Sequence, residues 1–215
     1  MLCLMGLAQP AHRFSVAEYY ALEEAAEYRS EYFEGEIFAM AGGSARHSLI
    51  SANLLRELGN QLKGKRCTAY ESNLRLKVEA SGLRSYPDAG VYCGQLAFDV
   101  EDPRGQTALN PTVLFEVLSP STEAYDRGKK AENYRLIPSL KAYVLISQDR
   151  AKVEVFERVG DGFWRLSEAG GLEGSIALEC IEVTLSLGEI YEGVEFDVEV
   201  RPDVLEAAVG RGEGV

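Results

Sequence analysis

Two carboxylates are the residues of this chain best suited to chemistry. Asp88 lies in Ser85-Tyr86-Pro87-Asp88-Ala89-Gly90-Val91-Tyr92. Glu116 lies in Pro111-Thr112-Val113-Leu114-Phe115-Glu116-Val117-Leu118-Ser119, which is followed by Asp126-Arg127-Gly128-Lys129-Lys130. Each of the first two segments is a strand-like apolar run carrying one acid, Asp88 at its mouth and Glu116 where an apolar residue is expected. If the strands are neighbours, the acids converge and can hold a divalent cation beside a lysine-bearing helix. That combination suits metal-assisted hydrolysis of a phosphodiester.

A carboxylate inside an apolar strand is costly when buried and unpaired, so Glu116 must be neutralised, salt-bridged or bound to a cation. Pairing with an arginine is the commoner fate of such an acid. Asp88 shifts the balance. Pro87 cannot donate to a ladder and marks a strand edge or bulge, and a second acid there supplies the two-carboxylate set that a hard cation takes. The helix that follows admits two starts. With Asp126 as cap, Arg127, Gly128, Lys129 and Lys130 fill the first turn, against the helix dipole and with a glycine cost of up to about 1 kcal/mol. A cluster that breaks local rules at one spot is a candidate site. With Ser119 or Ser121 as cap and Pro120 near the first helical position, the lysines fall mid-helix and are solvated.

These segments need a scaffold. Ser15 and Glu18 form a capping-box pattern ahead of a helix over 15–29. Residues 31–40 read as a strand or hairpin turning near Gly35. Ser44 precedes a helix over 44–62, where Ile50, Leu54, Leu58 and Leu62 line one face. Strands follow at 66–79, 86–93 and 112–118, the last apolar almost throughout, as in a strand buried on both faces. A helix over 124–136 stops at Pro138. Strands at 141–148 and 151–158, smaller ones at Trp164 to Leu166 and Ile176 to Leu178, and a short helix near 187–192 complete the order. This is a mixed α/β (α+β) pattern, a central sheet with a helix on each face. It reads as one domain over 1–215, with a core over about 44–158, an N-terminal helix and hairpin (14–40) and C-terminal strands (160–192) as additions. Residues 211–215 read as a frayed end.

Composition sets the bounds. The 215 residues, 46% hydrophobic and 26% charged, can bury one substantial core. No apolar stretch reaches the roughly 18–20 residues of a membrane span, and the apolar start lacks the basic region of a signal peptide. Cys3, Cys67, Cys93 and Cys180 follow no metal or disulfide pattern, so Cys67 and Cys93 read as small buried hydrophobes in a cytoplasmic protein. The net charge of −12 argues against nucleic acid. Its distribution weakens that objection: residues 1–36 carry −5 and 170–215 carry −9, whereas 37–169, which hold the candidate site, carry +2.

The succession Glu36, His47, Pro87-Asp88, Glu116-Val117-Leu118-Ser119-Pro120-Ser121-Thr122, Asp126-Arg127, Lys130 and Tyr134, with Tyr143-Val144-Leu145 on the next strand, resembles the Uma-two family of restriction-endonuclease-like proteins. These belong to the PD-(D/E)XK nuclease superfamily. The likeness spans about residues 14 to 192 and is most specific in the EVLSPST run. It implies a restriction-endonuclease core, a mixed four-stranded sheet flanked by helices. It further implies a Mg2+- or Mn2+-dependent endonuclease acting on DNA rather than RNA, working as a homodimer. Asp88 and Glu116 become metal ligands, with the Val117 carbonyl as a further one. The superfamily lysine belongs two residues after the acid, where this chain has Leu118. Lys130, with Lys129 as second choice, is then the catalytic cation. Glu36 is either an additional ligand or water-orienting acid, or a solvated hairpin residue. His47 is read as a core histidine or as a contact to metal or phosphate, and Arg46 and Arg127 as phosphate contacts or plain surface arginines. Asp126 is a cap or a tether for a basic neighbour. The alternative function is a lapsed nuclease fold serving as a nucleic-acid-binding or protein-interaction module.

Overall fold

In the computed structural model, which describes residues 12–40, 42–160 and 162–197, Ser15 and Glu18 close the reciprocal capping box at the start of α1 (Val16–Ala25). A hairpin follows, β1 (Ser30–Phe33) and β2 (Glu36–Ala39). Its turn, Glu34-Gly35, has positive φ at both positions (49° and 83°), the type I′ geometry that fits the twist of the flanking strands. Ser44 Oγ accepts the His47 N–H at 3.1 Å and caps α2 (Ala45–Leu62), whose stripe Ile50, Leu54, Leu58 and Leu62 is buried.

The strands in chain order are β3 (Cys67–Glu71), β4 (Arg75–Lys77), β5 (Arg84–Ser85), β6 (Ala89–Cys93), β7 (Thr107–Ala108), β8 (Val113–Leu118), β9 (Ala142–Ser147), β10 (Lys152–Gly160) and β11 (Phe163–Gly170). Six of them form the central sheet, in the order β11-β10-β9-β8-β6-β3. β8 and β9 run parallel and the other pairs antiparallel, so the sheet is mixed, as expected, with six strands rather than four. The N-terminal hairpin belongs to a second sheet, β2-β1-β5-β4-β7. A small hairpin, β12 (Ser175–Leu178) with β13 (Val183–Ser186), and α5 (Leu187–Ile190) complete the chain. The fraying expected at 211–215 and the leader reading of the first residues lie outside the described residues. Among the described residues no helix is long and apolar enough to cross a membrane.

β8 is buried along its whole length. Alternation divides its side chains between two cores. Val113, Phe115 and Val117 pack with the stripe of α2, whereas Leu114 and Leu118 pack with Tyr134, Tyr143 and Leu145. Glu116 shares the face of Leu114 and Leu118, and the segment covering that face carries the lysines. This segment is continuous: α3 (Glu123–Tyr125), a π-turn over Asp126–Lys130, and α4 (Ala131–Tyr134).

The helix therefore starts at Glu123, and the reading of Asp126 as its cap is corrected. The reading that left the lysines solvated holds for Lys129, which is exposed, and fails for Lys130, which is only 4% exposed. A second correction concerns the cysteines. Cys67 and Cys93 stand directly opposite each other on β3 and β6 and are joined in a disulfide. Their spacing of 26 residues has no motif, and only strand register brings them together.

Candidate active site

The β6–β8 pairing runs from Val91↔Val113 to Ala89↔Phe115 and then stops. At the next step, where Asp88 would face Glu116, Pro87 cannot continue the ladder. The Asp88 side chain fills the gap: its Oδ2 accepts the Val117 N–H at 2.7 Å. The same oxygen lies 3.2 Å from His47 Nε2 at the start of α2. Gly43 makes room for the imidazole, since a Cβ there would stand 2.9 Å from His47 Nδ1. The hydrogen bond to Asp88 raises the His47 pKa above its ordinary value, against burial, with help from the charges of Asp88 and Asp126 and from the Val117 carbonyl.

Glu116 is 3% exposed and faces the π-turn. Its Oε1 lies 2.9 Å from Lys130 Nζ and accepts the Tyr134 hydroxyl at 3.0 Å, and Ser85 Oγ meets that hydroxyl at 3.0 Å. Lys130 Nζ also reaches Asp126 Oδ1 at 3.4 Å and Glu31 Oε1 at 3.3 Å. The Tyr125 hydroxyl donates to the other oxygen of Glu31 at 2.9 Å, and that of Tyr143 donates to the Asp126 carbonyl at 3.0 Å. π-turns recur at functional sites. This one spans Asp126 to Lys130, two groups that meet as an ion pair on the Glu116 side of the helix.

Burial, opposed by Lys130 and reinforced by Asp126 and Asp88, raises the pKa of Glu116 well above the ordinary carboxylate value. Burial likewise raises Asp126, and Lys130 works against the rise. For Lys130 itself burial favours the neutral amine, but Glu116, Tyr134, Glu31 and Asp126 outweigh it and hold the ammonium charged.

The cluster thus joins Asp88, Glu116, Lys130 and His47, all singled out from sequence, with Asp126 as the tether of Lys130. It does not include Glu36, which is exposed on β2 and pairs with Arg13 at 3.7 Å. Glu31, on the neighbouring strand, is the hairpin acid that reaches the lysine. Lys129 turns away and lies 4.5 Å from the Phe33 ring centre. Arg46 pairs with Asp149 and Asp197, and Arg127 with Glu123 and Glu154, so both guanidiniums face carboxylates. Sequence reasoning missed Glu31 and Tyr125 and gave Tyr134 no role. The two hairpin acids share one face, and alternation alone does not say which of them is covered.

Two observations bear on whether a hard divalent cation suits these residues. Glu31, Glu116 and Asp126 crowd one buried ammonium and the charge of Asp88 acts on Glu116, which leaves the cluster with surplus negative charge once they ionise. The contacts of Asp88 go to Oδ2 and those of Glu116 to Oε1, so Asp88 Oδ1 and Glu116 Oε2 have no hydrogen-bond partner among the described residues. Among the described residues no three His, Cys, Asp or Glu side chains are close enough to form a ready-made metal cage. Magnesium does not need one, because it is commonly held by one or two carboxylates and keeps several waters. The donor set fits such an ion.

This arrangement is that of a restriction-endonuclease-like protein. The model of the Uma2 family, described as "Putative restriction endonuclease", matches residues 16–188, and the chain belongs to that family. Two uncharacterised proteins of Synechocystis sp. are similar to it. One, slr1290, is 34% identical over 191 residues, covering 87% of this chain and 96% of the relative; the other, sll1609, is 34% identical over 169 residues, covering 79% and 94%. Among solved structures, a protein described as a "putative nuclease belonging to DUF820" from Anabaena variabilis superposes with a TM-score of 0.61 at 18% identity. The match covers 77% of this chain and 91% of that one, a likeness of fold.

Proposed function

We propose that the chain is a metal-dependent nuclease that hydrolyses phosphodiester bonds in DNA. The observation that carries this reading is the crowding of three carboxylates, Glu31, Glu116 and Asp126, round the buried ammonium of Lys130, with Asp88 held on the Val117 N–H at the point where β6 and β8 part. Asp88, Glu116 and the Val117 carbonyl would hold Mg2+ or Mn2+. When bound, such an ion supplies a water of lowered pKa and offsets charge on the phosphate.

The protein's own groups do the rest. Lys130, kept charged by its three acids, places a positive group beside Glu116 where phosphate charge grows. Tyr134, itself met by Ser85, holds Glu116 in one orientation. His47 and the Val117 N–H together fix the Asp88 carboxylate through its Oδ2. Glu31 holds Lys130 in line from the second sheet, and Tyr125 on α3 steadies Glu31. One such site cuts one strand, so a double-strand cut takes a homodimer or two visits.

Leu118 favours a second reading, a lapsed enzyme that keeps only binding, because the lysine its family pattern expects there is missing. Lys130 meets that objection, since its ammonium reaches the same carboxylate from the helix. The test is nicking of supercoiled plasmid in Mn2+ and Mg2+. The wild type is expected to cut, with Asp88→Asn and Glu116→Gln each at least about 100-fold slower. A wild type that binds DNA but never cuts it, with either ion, assigns the lapsed module.

A further inference from the structure

The hairpin that delivers Glu31 has two unlike faces. Tyr32 and Ile37 pack with Tyr19 on one side. Glu31, Phe33, Glu36 and Phe38 share the other, since Glu31 pairs with Phe38 and Phe33 with Glu36 across the two strands. This second face looks onto the carboxylate cluster, because Glu31 reaches Lys130 and Phe33 packs in the core that includes Tyr134. Side chains of a directly opposed pair start about 5 Å apart. Glu31 is 6% exposed, whereas Phe38 beside it, on the edge strand β2, is 48% exposed. An aromatic ring therefore stands in solvent at the rim of the cluster, next to the acid that holds Lys130.

Its surroundings say what the ring can take. Lys129, over the neighbouring Phe33, makes no ion pair among the described residues, while the other two cations named with it, Arg46 and Arg127, already face carboxylates. The chain carries 34 acidic against 22 basic side chains. Duplex binding draws mostly on contacts of Lys and Arg with phosphates, and this chain is poor in them. Base stacking on an aromatic ring needs no charge, and any base has a face to offer. In a duplex those faces are already covered by neighbouring bases, so a ring at this rim finds a partner only where a base is unstacked.

Resting on the nuclease reading above, we propose that Phe38 is a base-stacking platform that makes the site select single-stranded or locally unpaired DNA. Lys129 adds one phosphate contact beside it.

The test separates binding from cutting. Fluorescence anisotropy with a labelled oligothymidine and with a duplex of the same length is read on Glu116→Gln protein, which binds without turnover. The single strand is expected to bind at least tenfold tighter than the duplex. Adding Phe38→Ala should weaken the single strand by about 5–100-fold and leave the duplex unchanged, while adding Phe38→Trp should keep the affinity and show indole quenching by the bound thymines. Single-strand affinity within twofold of the parent in the Phe38→Ala protein, or a preference for duplex, overturns the proposal. If the wild type nicks plasmid in Mn2+ while Phe38→Ala changes nothing, stacking fails and the nuclease reading stands. A protein that neither binds nor cuts DNA overturns both.

Discussion

Lys130 Nζ lies 2.9 Å from Glu116 Oε1, so the helix brings to the strand acid an ammonium that the strand itself, with Leu118, does not carry. Position 118 shares the face of Glu116 but is filled by a leucine packed among Tyr134 and Tyr143. The positive charge arrives instead through the π-turn, with Asp126 and Glu31 as further partners. Removing one member of a buried charge cluster leaves the others uncompensated. Lys130→Met is therefore expected to lower the unfolding free energy by about 3–5 kcal/mol at neutral pH, read by urea denaturation, and to abolish cutting. Lys129→Ala, which loses only a contact with a ring, is expected to cost less than about 1 kcal/mol.

The pH dependence of stability follows from the same crowding. Glu116 and Asp126 have folded pKa values raised above those of an unfolded chain, chiefly by burial. Their contribution is fully present below the ordinary carboxylate range, about 4, and is lost as pH rises through their raised values. His47, raised by Asp88, acts in the same direction above about 6.5. The metal-free protein in EDTA should thus lose melting temperature from pH 5 to pH 8. Glu116→Gln, which cannot ionise, should flatten that slope and match or exceed the wild type at pH 8. An unchanged slope in Glu116→Gln would show that Glu116 is not under charge stress.

How far this was legible in the sequence depends on the length scale of each signal. The stripe of α2, the capping box at Ser15 and the apolar run of β8 are local patterns, and each element formed within a few residues of its expected limits. Asp88 and Glu116 were visible because each breaks an apolar pattern. The two-residue strands β5 and β7 were not legible, because their pairing with β1 and β4 is made in three dimensions. Glu31 and Glu36 differ only in what covers them: Lys130 and Tyr125 over one, Arg13 and solvent over the other. The π-turn was hidden too, since Asp126-Arg127-Gly128-Lys129-Lys130 looks like a poorly made helix start until its far side is seen packed on Glu116.

The cross-strand cysteines give a separate test. Cys67 on the edge strand β3 is tied to Cys93 at the end of β6, the strand that Asp88 precedes. Peptide mapping without reductant is expected to recover the 67–93 linked pair. Closing a loop of this length is worth about 3 kcal/mol, so reduction should lower stability by roughly that amount. Two freely alkylated thiols at 67 and 93 in unreduced protein would contradict the pairing.

The central claim is that Asp88 and Glu116, beside Lys130, form a divalent-cation site, and direct titration of Mn2+ tests it most squarely. Calorimetry on wild type, Asp88→Asn and Glu116→Gln at pH 7.5 should show saturable binding in the wild type, weakened at least tenfold in each variant. Repeating it at pH 6 should weaken the wild type, because protons and the ion compete for Glu116. Wild-type protein that takes up no Mn2+, or variants that bind it as tightly as the wild type does, would contradict the claim.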